Sequence, residues 1–171
     1  MDQFEQITAA LTLPDLAARA FIPFVLPVCV WVAWSDMARM KIPNKAVMAL
    51  ALIYLIVGPF VLPLPVWAWQ WVHLVVVLVI GFVLNMGGAL GAGDAKFAAA
   101  AAPFVFLQDA AMLMYLFAAI LLAAFATHRI ARATPAIRGR APGWESWTSR
   151  KFPMGLALAP ALLFYLLLAA V

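Results

Sequence analysis

Long apolar runs separated by short polar turns make up most of the chain, and their lengths define the expected elements. The runs from about Ala17 to Trp34, Ala46 to Leu64, Val66 to Met86, Ala110 to Thr127 and Phe152 to Val171 are each close to the ~20 residues an α-helix needs to cross a bilayer. A further run, Ala95 to Leu107, would barely cross alone. Its small residues Ala98 to Ala102 place it inside a bundle, because small side chains let helix backbones approach closely. The runs are continuous and rich in Leu, Ala and Val, which argues for helices against the alternating strands of a barrel. The expected fold is therefore all-α, a polytopic membrane protein of about six transmembrane helices in a single membrane-embedded domain spanning 1–171. Ahead of the first run, Phe4, Ile7 and Leu11 recur at helical spacing, so residues 1–16 read as an interfacial N-terminal segment, with a disordered start as the alternative. Asp2 and Glu5 stand where a cleavable signal peptide would carry Lys or Arg. Trp67, Trp69 and Trp71, following Pro59, Pro63 and Pro65, read as an interfacial belt.

Composition sharpens this picture. A chain of 171 residues that is 68% hydrophobic and 11% charged has too few polar residues to cover one soluble core. Its single cysteine, Cys29, excludes a disulfide framework or a multi-cysteine zinc site and reads as a packing residue. The apolar spans leave little room for the basic face that nucleic acid would need. The net charge of +4 matters through its distribution. The one long hydrophilic connection, 128–151, carries Arg129, Arg132, Arg138, Arg140, Arg150 and Lys151 against Glu145, and Pro135, Pro142 and Gly143 argue against a single helix through it. Basic residues concentrate in cytoplasmic connections. Placing this loop with Arg39, Lys41, Lys45 and Lys96 on the cytoplasmic side leaves the opposite connections nearly free of them and sends both termini away from the cytoplasm. The loop's charge then sets topology, or Trp144 and Trp147 dock it on the inner leaflet. His73 and His128 read as interfacial or capping residues.

Against this apolar background, Gly87 to Lys96 stands out with its four glycines and one acid, Asp94. An ionisable residue at membrane depth is costly and marks function by default; the plainer reading is that Asp94 caps the helix that follows. A second acid, Asp36, lies in the polar turn Ser35 to Lys45, on the same cytoplasmic side. Two neighbouring carboxylates share one proton near neutrality, which provides a base and an acid for hydrolysing a peptide bond without a covalent intermediate. The glycine spacing fits neither a dinucleotide fingerprint nor a phosphate-binding loop. Gly93, directly before Asp94, suits a positive φ or close approach by an extended substrate, and should resist enlargement more than Gly88. Helix dipoles bias Asp94, at a helix start, toward the charged form and Asp36, at a helix end, toward the protonated form, by about 1 kcal/mol or less.

The order Asp36-x5-Ile42-Pro43-Asn44, followed by Gly91-Ala92-Gly93-Asp94-Ala95-Lys96, resembles the two signatures of the type IV prepilin and preflagellin peptidases, which are GxGD-type membrane aspartic peptidases. Phe152-Pro153-Met154-Gly155 resembles the Pro-x-Gly start of that family's last span. The resemblance implies Asp36 and Asp94 as the catalytic pair, Gly91, Gly93 and Lys96 as the active-site loop, and Ile42, Pro43 and Asn44 as the supporting motif. It also implies prepilin or pseudopilin substrates cut at the cytoplasmic face of the inner membrane. Larger members carry a paired-cysteine insertion and N-methylate the new terminus; with one cysteine and no such insertion, this chain resembles the short, peptidase-only form of Flp/Tad pilus systems, and the resemblance implies no metal or organic cofactor. The oligomeric state is left open. The competing class is a non-catalytic assembly or transport component in which the two acids bind protons or pair with Arg39 and Lys96.

Overall fold

The computed structural model describes residues 11–171 and is helical, with no strand among them. In chain order the helices are α1 (Asp15–Arg39), α2 (Asn44–Val61), α3 (Leu64–Met86), α4 (Ala92–Ala101), α5 (Ala110–Ala133), α6 (Pro135–Arg138) and α7 (Gly155–Ala169). Each apolar run became a helix, but not all are spans. Four segments are long and apolar enough to cross a membrane: Asp15–Arg39, Asn44–Val61, Leu64–Met86 and Leu107–Ala133. The ten residues of α4, already expected to be too short to cross alone, and the fifteen of α7 fall short, so four of the expected six or so helices have full spanning length among the described residues.

The short helix α4 is the centre of the bundle, packed against α3, α2 and α7, while α1 lies along α7 and α5 flanks α7 from outside. Ala95, Phe97, Ala99 and Ala100 of α4 are buried. Where α4 ends, Pro103 and Phe104 turn the chain, and Phe104 sits edge-on to Phe21 of α1 and Tyr54 of α2, which stack on each other, with centroids 4.9 to 5.8 Å apart. Edge-to-face pairs at such spacing add about 0.5 to 1.5 kcal/mol each beyond the area they bury. The tryptophan belt divides. Trp69 faces outward, whereas Trp67 donates its indole N–H to the Tyr54 carbonyl (3.3 Å) and Trp71 packs edge-on against the Tyr54 ring.

The helix expected to close at Thr127 runs on to Ala133. Ile130, Ala131 and Ala133 continue it without a breaker, and Pro135 marks where it stops. His128 is therefore buried in helical structure, stacked on Trp147 at 5.6 Å, and Trp147 stacks in turn on Trp144. Arg132 Nη1 donates to the Ser149 carbonyl at 3.0 Å. The basic connection thus folds back on α5 as a short helix and a turn at Glu145–Trp147.

At the end of the bundle opposite the Asp36 turn, Asp109 is buried and ties three elements together. Its carboxyl accepts the backbone N–H groups of Thr12 (2.9 Å) and Leu13 (3.3 Å) and the Tyr165 hydroxyl at 2.6 Å. Most of the interfacial segment expected over 1–16 falls on residues 1–10, outside the described residues; Thr12 and Leu13 are held by Asp109, and Asp15 already belongs to α1. Losing one partner of a buried hydrogen bond costs about 1 to 3 kcal/mol. Tyr165→Phe should therefore lower the unfolding free energy in detergent micelles by about that amount, seen as a lowered midpoint, and an unchanged midpoint would show that the clamp contributes nothing.

Candidate active site

The last turn of α1 carries Asp36, and the helix stops just beyond it because Met40 adopts a left-handed conformation (φ 50°, ψ 37°), its N–H returning to the Asp36 carbonyl at 2.9 Å. A non-glycine residue held there costs about 1 to 2 kcal/mol. The turn is fastened by Ser35, whose hydroxyl donates to the Lys41 carbonyl (2.9 Å) and accepts from Arg39 Nη2 (3.1 Å). Lys41 to Pro43 then runs outside helical structure into α2, whose first residue is Asn44. Asn44 Oδ1 accepts from Lys96 Nζ at 3.4 Å, a link between the two sequence motifs.

Asp94 is reached from α3 through a loop in which Gly88 takes φ +73° and Asn85 Nδ2 donates to the Leu90 carbonyl at 2.7 Å. The chain re-enters helix at Ala92, placing Asp94 in the first turn of α4. The motifs also touch through Gly93, where a Cβ would sit 3.3 Å from Ile42 Cβ. Glycine at 93 thus does not serve a positive φ, although it does line the cavity between the motifs. It lets α4 lie against Ile42, while the positive φ belongs to Gly88.

The two acids line one cavity of about 660 Å³. All eight residues singled out from the sequence reach it: Asp36, Asp94, Gly91, Gly93, Lys96, Ile42, Pro43 and Asn44. A third wall was missed: Lys151, Phe152 and Met154, just before α7. Gly155, the first residue of α7, donates its N–H to Asp36 Oδ2 at 2.6 Å across 119 residues of sequence. The Pro-x-Gly pattern at 153–155 was its only signal. This contact also revises the dipole ranking of the acids: Asp36 ends its own helix but lies against the N-terminus of α7, so both carboxyls have a positive helix end beside them. Burial pushes the Asp94 carboxyl up to about 6, the Asp36 charge adding to the rise and a hydrogen bond from the Gly91 backbone opposing it. Among the described residues there is no cluster of three or more His, Cys, Asp and Glu that could hold a metal ion.

Two measurements follow from this geometry. In Asp36→Asn the repulsive charge is gone while burial, the larger cause, remains. Carboxyl-stretch infrared titration should find Asp94 below 6 there yet above the ordinary aspartate range of about 3.9; an unshifted midpoint would mean the acids do not sense each other. Gly93→Val should separate α4 from Ile42 and cut site-dependent activity by roughly a hundredfold, the scale of a 1 Å misplacement. Gly88→Ala meets nothing within 4 Å and should cost backbone strain with little loss of activity; equal damage in both variants would contradict the motif contact.

No curated protein and no solved structure gives a significant match. The model of the type IV leader peptidase family matches residues 23–127, a stretch that holds both aspartate motifs and more than half of the chain. With both acids of that stretch opening into one cavity, the chain belongs to the type IV leader peptidase family.

Proposed function

We propose that this protein is a membrane aspartic endopeptidase that removes the basic leader from prepilin-like or pseudopilin substrates at the cytoplasmic face of the inner membrane, with Asp36 and Asp94 as the catalytic pair. The observation that carries the reading is one cavity lined by both acids, in which the charge of one raises the other. Between the two titration steps the pair holds a single proton. Substrate filling the cavity displaces water and raises the Asp94 carboxyl further, because burial penalises the charged form. The ionised acid takes a proton from water as the oxygen attacks the scissile carbonyl carbon. The protonated acid hydrogen-bonds the carbonyl oxygen and later gives its proton to the departing amine as the C–N bond breaks. The cycle ends with one proton on the pair, as it began.

The charge distribution supports the orientation. Arg39, Lys41, Lys45, Lys96 and the arginines of 128–151 gather toward the Asp36 and Asp94 end, while Arg19, at the other, donates to the Ala170 carbonyl (2.9 Å). Basic residues mark the cytoplasmic side, which puts both termini opposite. In this reading α4 and α7 complete a six-helix membrane domain between the longer spans. The sole cysteine, buried in α1, leaves no pair for the paired-cysteine insertion, which fits the short peptidase-only form of Flp/Tad pilus systems. Lys96 and Asn44 brace the two motifs, and the turn through Ile42 and Pro43 supports Asp36.

Coexpression with a prepilin gives the test. The wild-type chain should yield a smaller pilin band, and Asp36→Asn or Asp94→Asn should each abolish it, by roughly 10³-fold or more as expected for loss of an essential acid or base, with membrane insertion unchanged. Survival of cleavage in either variant would defeat the dyad and favour a non-catalytic assembly or transport role.

A further inference from the structure

The family match stops at residue 127, yet one wall of the cavity and one hydrogen bond to Asp36 come from beyond it. We propose that Gly155 is a positioning residue of the peptidase site, its N–H fixing the Asp36 carboxyl and its missing Cβ admitting the contact. The proposal rests on the reading of Asp36 as a catalytic acid or base.

Three observations support it. The N–H of Gly155 lies 2.6 Å from Asp36 Oδ2 in a buried setting, and as the first residue of a fifteen-residue helix it has no intrahelical acceptor to compete. A Cβ at 155 would stand 2.9 Å from Asp36 Cβ, 3.0 Å from Oδ2 and 3.2 Å from Cγ, displacing the whole carboxyl. Gly88 is the only glycine with a positive φ among the described residues, so position 155 requires glycine for room and not for backbone conformation. The position is also anchored: Pro153 is fully buried, and the preceding loop is held by the stacking of Trp147 on His128 and by Arg132 on Ser149. With Oδ2 engaged by a donor that neither takes nor gives a proton, Oδ1 is the oxygen left to exchange one with water.

Gly155→Ala should lower kcat for prepilin cleavage roughly tenfold to a hundredfold with KM unchanged, since the defect is one of orientation. It should also move the acidic limb of the pH profile upward, because the charged carboxylate loses a donor. Gly143→Ala, at a loop glycine with open space around it, should match the wild type. A wild-type rate and pH profile in Gly155→Ala would overturn the proposal. If that variant fails to accumulate, the amide proton of Gly155 in the otherwise unaltered full chain decides. Its resonance should lie downfield and move upfield in Asp36→Asn; indifference to that substitution overturns the positioning role. This readout needs no cleavage. A wild-type chain that leaves prepilin uncut defeats the peptidase reading alone, and an amide shift blind to Asp36 defeats the positioning role alone.

Discussion

A peptide group that leaves helical structure inside a membrane protein has no water to bond to, so each such group needs a partner from the chain itself. The central helix α4 raises this demand at both ends, and the surrounding helices are arranged to meet it. Beyond its C-terminus, the Val105 carbonyl accepts from Gln70 (3.4 Å) and pairs with the His73 ring (3.1 Å) of α3. The Phe106 N–H reaches the Tyr165 hydroxyl at 3.5 Å, and that hydroxyl donates to Asp109. Before its N-terminus, Asn85 satisfies the Leu90 carbonyl. A helix of ten residues, about 15 Å at the helical rise, can sit at the centre of the bundle because its frayed ends are paired.

Shortening that helix has a chemical consequence. A helix start placed within the protein presents free N–H groups and a positive dipole end at depth, a setting suited to an acid. Asp94 occupies it, and Asp36 meets the equivalent start of α7 through Gly155. Burial works against these donors, and at Asp94 burial dominates, leaving a carboxyl that titrates at about 6. Strong N–H donation to a fully solvated acid would hold it far below neutrality, and burial without donors would leave the carboxyl unfixed in direction. A proton-sharing pair needs both effects in partial opposition.

Much of this was legible in the residues. Apolar run length located six helices, and the two acids with their glycine and Ile-Pro-Asn surroundings were found as motifs because each is local. Readings that depended on contacts between distant segments fared differently. Nothing beside Asp109 in sequence names Tyr165 or Thr12 as its partners. Gly93 does not have the positive φ offered as one reason for its glycine; a Cβ there would meet Ile42, some fifty positions earlier. His128 was read as a boundary residue because charge begins there, yet Ile130, Ala131 and Ala133 extend the helix and Trp147 covers the ring. The spanning length of α7 was overestimated for a related reason: hydropathy measures how apolar a run is, and much of α7 is apolar because protein surrounds it.

The two ends of the bundle therefore carry opposite requirements. At the far end, Asp109 accepts from Thr12, Leu13 and Tyr165, so its carboxyl is used up in holding the N-terminal segment, α5 and α7 together. At the near end, each acid keeps oxygen capacity toward a cavity, and the local backbone carries strain at Met40 and close glycine contacts at 93 and 155. Buried carboxyls are costly in either place. What separates the tying aspartate from the cavity-lining one here is the count of fixed donors: three around Asp109, and a single backbone N–H at Asp36.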